Sequence, residues 1–171
     1  MAEGPGYEVP LKRRREGRTD YGRRLEMLKS GDLRAVVRVS NSHTDIQLIG
    51  YGDGGDETVV SASSGDLTRF GWDRHTGNLP AAYLTGVLAG KQAQSEGVDR
   101  AVPDLGAEDR KDGSRHYAAV KGMQDAGLDV PADDDVLPTD ERAEGGHIED
   151  GGVRKAVEDV KKNIAEEYGE G

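Results

Sequence analysis

The sequence contains no cysteine, and this absence excludes a disulfide framework, a thiolate metal site and a cysteine nucleophile. No apolar run approaches the roughly 20 residues that a membrane span needs. The N-terminus also lacks the apolar core of a signal peptide. We therefore expect a soluble, cytoplasmic protein that has no membrane partner.

Bulky apolar residues are scarce as well. Leu, Ile, Val and Phe together make up 32 of the 171 residues, and a fraction below about 20% combined with a high net charge is typical of disorder. These residues are nevertheless patterned, since LRAVVRV (33–39) and IQLIG (46–50) indicate strands and AAYLTGVLAG (81–90) has helical spacing. Aspartate exceeds glutamate 19 to 14, and arginine exceeds lysine 15 to 8, at a net charge of −10. We interpret this composition as that of a folded protein adapted to high salt.

The order of the predicted elements is typical of one α/β domain with a mixed β-sheet. The patterns predict helices at about 19–29, 64–70, 80–96, 114–128 and 153–168, strands at 33–40, 43–50, 57–63 and 98–106, and a loop at 129–152. The chain is thus predicted to consist of a flexible, extended basic N-terminal arm (1–18), an α/β RNA-binding domain (19–150) and a C-terminal helical tail (151–171).

The first two strands predict a hairpin with a two-residue turn at Asn41-Ser42. Such a turn places Arg38 opposite Asp45. The two-residue period puts Leu33, Ala35, Val37 and Val39 inward and leaves Arg34, Arg38, His43 and Gln47 on an outer polar face. In the preceding helix we expect Tyr21, Leu25 and Leu28 to form one buried stripe, with Arg23 and Arg24 pointing elsewhere.

Little in the sequence indicates catalysis. GYGDGG (50–55) matches a dinucleotide-binding glycine pattern, but a β-branched segment follows where that site requires a helix, so a hairpin turn is favoured. His43, His75, His116 and His147 lack the spacing of metal ligands, and neither a nucleophile elbow nor a P-loop is present. We expect no catalytic residue, metal, cofactor or small-molecule substrate, and we predict that the protein is not an enzyme.

The most informative segment is LKRRREGRTDYGRRL (11–25), which holds seven cationic side chains between Lys12 and Arg24. Residues 1–40 carry a charge of +4 and the remaining residues −14, a division that indicates a polyanionic partner met at one end. A solvated charged face is the simpler alternative. The dominance of arginine over lysine, the flanking Tyr7 and Tyr21, and a second polar patch of Arg34, Arg38, Asn41, His43 and Gln47 favour RNA instead.

Six ordered motifs carry a resemblance to a known family. They are RRREGRTDYGRRLEMLKSG, RAVVRVSNSHTDIQLI, SASSGDLTRFGW, NLPAAYLTGVLAG, GMQDAGLDVP and RAEGGHI. In this order, over roughly residues 5–149, the chain resembles the archaeal large-subunit ribosomal protein eighteen, whose eukaryotic relative is large-subunit ribosomal protein five. The acidic composition is similar to that of halophilic members.

The resemblance implies a structural protein of the large ribosomal subunit that binds 5S rRNA, touches the large-subunit rRNA and lies beside neighbouring large-subunit ribosomal proteins. It also implies an α/β fold with a ribonuclease-H-like motif. The implied RNA contacts are Lys12, Arg13, Arg14, Arg15, Arg18, Tyr21, Arg23 and Arg24 in the arm, and Arg38, Ser40, Asn41, Ser42, His43 and Gln47 at the hairpin; the polar patch adds Arg34.

Two departures from the family pattern affect the hairpin, because members commonly have basic residues where this chain has Ser42 and Asp45. Asp45 either pairs with Arg38, which withdraws that arginine from RNA, or lies at a gap in the contact. Two other functions stay open: a diverged non-ribosomal RNA-binding relative or RNA chaperone, and a metal-dependent nuclease.

Overall fold

The computed structural model describes residue 9, residues 12–106 and residues 110–169. In chain order the elements are α1 (Lys12–Arg15), α2 (Tyr21–Ser30), β1 (Leu33–Val39), β2 (Thr44–Gly52), β3 (Gly55–Ser63), a 3₁₀ helix (Ser64–Phe70), α3 (Leu79–Ser95), β4 (Ala101–Asp104), α4 (Arg115–Asp125), a short 3₁₀ helix (Asp134–Val136), α5 (Asp140–Ala143) and α6 (Gly152–Tyr168). None of the helices within these ranges is long and apolar enough to cross a membrane.

The four strands form one mixed sheet in the order β3-β2-β1-β4. The first three strands are antiparallel, and β4 runs parallel to β1. This arrangement confirms the predicted α/β fold class. The register pairs Arg38 with Asp45 and Val37 with Ile46, as predicted for a turn at Asn41-Ser42.

One face of the sheet is apolar and lies against α3 and α4. Ala35, Val37, Ile46 and Leu48 on this face are fully buried, because the two-residue period directs alternate side chains of each strand to the same side. The predicted inward set is thus buried at its centre, while Leu33 and Val39 at the two ends of β1 are half-buried.

Helices α3 and α4 pack with their backbones in close contact. A Cβ atom added at Gly86 would overlap the carbonyl of Ala119, and one added at Gly122 would overlap the carbonyl of Tyr83. Glycine is therefore required on both sides of the contact, and the sheet is covered by a tightly joined helix pair.

Helix α6 confirms the predicted C-terminal helix and completes the core. Its buried stripe of Val153, Val157, Val160 and Ile164 packs on α3. A polar contact supports it, since the buried Tyr83 hydroxyl donates to Asp125 Oδ2 at 2.8 Å and accepts from Lys161 Nζ at 3.1 Å. Burial and the hydrogen bond to Asp125 raise the pKa of Tyr83 far above its usual range, so the phenol stays protonated.

Helix α2 differs from the prediction. Leu25 is 52% exposed, whereas Met27 is buried, and Arg24 turns towards the sheet. The prediction of a buried Leu25 stripe with Arg24 pointing away is therefore wrong. The reason is that α2 lies over the polar face of the sheet, where the charged partner of Arg24 is located.

Three other predicted segments differ as well. Residues 12–15 form one helical turn, in which Glu16 N–H donates to the Lys12 carbonyl at 3.0 Å, so the prediction of an extended backbone is wrong there. The rest of the predicted arm that precedes it, residues 1–8, 10 and 11, lies outside the described residues. The fourth strand is shorter than predicted, Ala101–Asp104, and the chain turns after it, where Gly106 has a positive φ and donates its N–H to Asp104 Oδ1 at 3.2 Å. The predicted loop at 129–152 includes α5, which begins where the Thr139 hydroxyl accepts from Arg142 N–H.

We expect Gly122→Ala to lower the free energy of unfolding by about 1–3 kcal/mol, because the added methyl group forces the helix backbones apart. Urea unfolding at constant molar KCl, followed by fluorescence of the buried Trp72, measures this change. Gly151→Ala is the control, since a Cβ atom there meets nothing within 4 Å. Equal stability of the two variants would contradict the close-contact interpretation.

Candidate nucleic-acid interface

The sheet face opposite the core is polar and partly covered by α2. Where α1, α2 and the sheet meet, a cleft of about 360 Å³ is lined by seven arginines and only two aspartates, Asp20 and Asp104. The arginines are Arg13, Arg18, Arg23, Arg24, Arg34, Arg38 and Arg110. We call this feature the arginine cleft. Its excess of positive charge lies on a protein whose net charge is −10.

Arg34 lies at the base of the arginine cleft and is buried, with 7% of its side chain exposed. Its guanidinium donates to Asp56 Oδ2 at 3.0 Å and to Asp104 Oδ2 at 3.2 Å. A buried charge is tolerated only when it is paired and hydrogen-bonded. The two aspartates, from β3 and β4, provide that pairing.

Each of these aspartates also holds a second, more exposed arginine. Arg24 Nη2 contacts Asp56 Oδ2 at 2.9 Å, and Arg38 Nη2 lies 3.7 Å from Asp104 Oδ1. Arg24, Arg34, Arg38, Asp56 and Asp104 thus form one continuous network of three cations and two anions. The network joins α2 to β1, β3 and β4 and leaves a net positive charge.

The hairpin departure is resolved by this network. Arg38 and Asp45 are opposite each other in the register, but within the described ranges no ion pair joins them. Arg38 instead donates to the Asp104 carbonyl at 3.0 Å, and its side chain remains 54% exposed. Asp45 therefore does not withdraw Arg38, and its own side chain faces solvent.

The arm contributes exposed cations at the rim of the arginine cleft. Arg13 is held in place because its Nε donates to Thr19 Oγ1 at 3.1 Å. Asp20 caps α2 by accepting from the Arg23 backbone N–H at 3.1 Å. Within the described ranges, Arg14 and Arg15 make no ion pair and are exposed, so their charges are available to a polyanion.

The exposed ion pairs of the arm are weak. Glu16 lies 3.9 Å from Lys12 Nζ and 3.4 Å from Arg18 Nε, and both cations are largely exposed. Pairs of this kind contribute little to stability and are screened by salt. Glu16 therefore competes only weakly with a phosphate group for Lys12 and Arg18.

The sequence-predicted residues fall into three places. The arginine cleft is lined by Arg13, Arg18, Arg23, Arg24, Arg34 and Arg38. Helix α1 and the start of α2 carry Lys12, Arg14, Arg15 and the half-buried Tyr21. The hairpin and the outer face of β2 expose Ser40, Asn41, His43 and Gln47. Arg34 differs from the others, because its burial and two carboxylate partners give it a positioning role.

Sequence reasoning missed Asp56, Asp104 and Arg110 as members of this surface. Asp56 directly follows GYGDGG (50–55), for which the sequence predicts only a hairpin turn. Asp104 becomes a neighbour of Arg34 only through the parallel pairing of β4 with β1. The one available signal was the outward placement of Arg34, because a cation on a covered sheet face requires an anion nearby.

Comparison with known proteins identifies what the chain is similar to. Residues 6–102 match the model of a family described as ribosomal large subunit proteins 60S L5 and 50S L18. A large ribosomal subunit protein uL18 from Haloarcula marismortui is 53% identical over 148 residues, which cover 86% of this chain and 79% of the relative. The corresponding protein of Halobacterium salinarum is 55% identical, with coverage of 86% and 81%. That of Haloquadratum walsbyi is 51% identical, with coverage of 86% and 72%.

We expect Arg34→Met to lower the free energy of unfolding by about 1–3 kcal/mol, because Asp104, whose side chain is 15% exposed, keeps only the more distant Arg38 as a charged partner. Arg24→Met removes the other partner of Asp56, but its side chain is 40% exposed, so the expected loss is below about 1 kcal/mol. Urea unfolding of both variants in molar KCl compares them directly. Equal losses would show that the burial of Arg34 does not govern the network.

Proposed function

The chain belongs to the family of ribosomal large-subunit proteins 60S L5 and 50S L18, and we propose that it binds 5S rRNA and helps to attach it to the large-subunit rRNA in the central protuberance. As a member of this family it is a structural constituent of the large ribosomal subunit, in the cytoplasmic ribosome. The observation that carries the RNA proposal is the arginine cleft with its rim of exposed arm cations. The role of the protein is structural, not enzymatic, and its other partners are neighbouring large-subunit ribosomal proteins.

Two groups of residues make the proposed RNA contacts. Phosphates are held by the arm and the outer arginines, which are Lys12, Arg13, Arg14, Arg15, Arg18, Arg23, Arg24 and Arg38. Tyr21, Ser40, Asn41, His43 and Gln47 add hydrogen bonds or stacking at ribose and base edges. Arg34 supports this surface from below, since it holds the two aspartates that orient Arg24 and Arg38.

Arginine suits this task because its guanidinium pairs with phosphate in a bidentate manner and stacks on bases. The two carboxylates of the network fix the position of the outer arginines without neutralising them, since three cations share two anions. An approaching phosphate therefore meets a preorganised positive surface.

High salt changes how such a surface works. At about 1 M salt the Debye length is only about 3 Å. The acidic part of the protein therefore does not repel RNA at a distance, and the arm does not attract RNA at a distance. Binding then depends on direct contacts, RNA shape and stacking. The seven cations of residues 12–24 predict a log–log salt slope of up to about −5 to −6, at roughly 0.7–0.9 per neutralised phosphate.

The metal-dependent nuclease alternative has no supporting observation. Among the described residues, no group of three or more histidine or carboxylate side chains is arranged to hold a metal ion. The RNA chaperone alternative predicts similar affinity for unrelated RNAs, and binding measurements distinguish it from the proposal.

We expect the double variant R14Q/R15Q to bind 5S rRNA more weakly and with a salt slope shallower by about 1.5, because two phosphate contacts are lost. Titrations across a range of KCl concentrations, with a size-matched transfer RNA in parallel, measure both quantities. The matched control is R69Q/R154Q, which removes two exposed arginines paired with Glu167 and Glu144 outside the interface.

The control should keep the slope of the unmodified protein. Equal affinity of the unmodified protein for 5S rRNA and transfer RNA would favour the chaperone alternative. A slope that R14Q/R15Q leaves unchanged would exclude these two arginines from the contact.

A further inference from the structure

The turn between β1 and β2 is fastened to a second loop and to the start of α4. The Thr76 hydroxyl donates to the Ser42 carbonyl at 2.6 Å. Arg115 Nη1 donates to the carbonyls of Ser40 and Gly77, each at 2.7 Å. Three segments that are distant in sequence are therefore joined at one exposed point of the molecule.

The turn is also closed from within. Ser40 N–H donates to the His43 carbonyl at 2.8 Å, and Ser40 Oγ accepts from His43 N–H at 3.0 Å. Backbone and side chain of one serine thus bind the same neighbour. The turn has a defined conformation before any partner arrives.

Gly77 makes this close approach possible. A Cβ atom at this position would overlap the carbonyl oxygen of Asn41 and press on the His75 ring. Gly77 N–H donates to His75 Nδ1 at 3.0 Å, which orients that imidazole. The glycine is required here by the contact between two backbones.

The side chains on the solvent side of this junction are amide, hydroxyl and imidazole groups. Asn41, Ser42, His43 and His75 are exposed, and Thr76 Oγ1 lies 3.3 Å from His43 Nδ1. Amide, hydroxyl and imidazole groups form hydrogen bonds with phosphate oxygens, 2′-hydroxyls and base edges. The large exposed apolar side chains of the described residues, Val9, Leu25, Tyr51 and Val59, lie elsewhere, so the apolar centre typical of a protein–protein interface is missing here.

The turn of residues 40–43, whose RNA contact belongs to the proposed function, forms with His75 and Thr76 a preformed platform that is distinct from the arginine cleft. We propose that Arg115 is the positioning residue of this platform and that His75 and Thr76 extend its RNA contact. This inference rests on the proposed function. Arg115 acts through the turn and not on RNA, because the guanidinium nitrogen that approaches the turn is occupied by two backbone carbonyls. A platform already ordered loses little conformational entropy on binding. Its amide and hydroxyl groups neutralise no phosphate charge, so their hydrogen bonds leave the salt slope unchanged.

The test is Arg115→Ala, titrated with 5S rRNA and with transfer RNA across KCl concentrations. We expect the affinity for 5S rRNA to fall about tenfold, as for the loss of one or two hydrogen bonds, with an unchanged salt slope. Hydrogen exchange at the Ser40 and His43 amides should accelerate. Arg115→Lys should recover part of the affinity, because its ammonium group still donates to a carbonyl of the turn.

A second variant displaces the turn without removing a charge. Gly77→Ala should reproduce the affinity loss and the unchanged slope, whereas Gly151→Ala and Arg154→Ala should bind like the unmodified protein. Thr76→Ala, which removes one hydrogen bond from an exposed loop, replaces Gly77→Ala or Arg115→Ala if either fails to fold in a thermal melt.

Two outcomes would overturn the platform. A salt slope made shallower by about 0.7–0.9 in Arg115→Ala identifies a direct phosphate contact. Faster amide exchange with unchanged RNA affinity shows that the junction only supports the fold. If the unmodified protein binds transfer RNA as well as 5S rRNA and Arg115→Ala still weakens both, the platform stands and the ribosomal 5S proposal fails.

Discussion

The burial of the Arg34 guanidinium on the outer face of the sheet constrains everything around it. A cation in that position needs anions from more than one side, and Asp56 and Asp104 bring β3 and β4 to it. Because these carboxylates also hold Arg24 and Arg38, the network has a fixed inner cation and two outer cations that are half-exposed. The inner pairing is costly to break, whereas the exposed outer pairings contribute little to stability and leave the remaining donors of Arg24 and Arg38 to phosphate in the proposed complex. In the proposed interface, stability depends on Arg34, and RNA affinity depends on Arg24 and Arg38.

This arrangement also explains how so acidic a chain presents a cationic surface. Helices α1 and α2 lie on the polar face, and the network that holds α2 there keeps more arginines than aspartates. Elsewhere most acidic side chains of the described residues face solvent, where a hydrated carboxylate surface favours solubility in salt. The two charge populations interfere little with each other in a salt-rich medium, because screening shortens their interaction to a few ångströms. In the proposed complex, contact geometry and not net charge then decides which RNA is bound.

The sequence predicted the mixed α/β sheet, the register of the first hairpin and the C-terminal helix, because these depend on local periodicity and turn chemistry. It misplaced Leu25, since a single helix has no means of showing which of its faces meets a sheet that is itself polar. It missed Asp104, because the parallel pairing of β4 to β1 joins residues about 70 positions apart. The role of Arg115 was hidden for the same reason, as backbone carbonyls carry no sequence signal. Periodicity and turn residues therefore located the hairpin and the cationic segment, whereas the residues that hold them in place, such as Asp104 and Arg115, became evident only from tertiary contacts.

The core and the turn are connected by the helix pair. Gly77 directly precedes the Asn78 cap of α3, and Arg115 is the first residue of α4, so the beginnings of both helices meet at the β1–β2 turn. The same two helices are held in backbone contact further along by Gly86 and Gly122. The relative position of α3 and α4 thus fixes the distance between Gly77 and Arg115, which both contact the turn. The close packing of α3 on α4 in this way determines the geometry of the polar contacts at the β1–β2 turn.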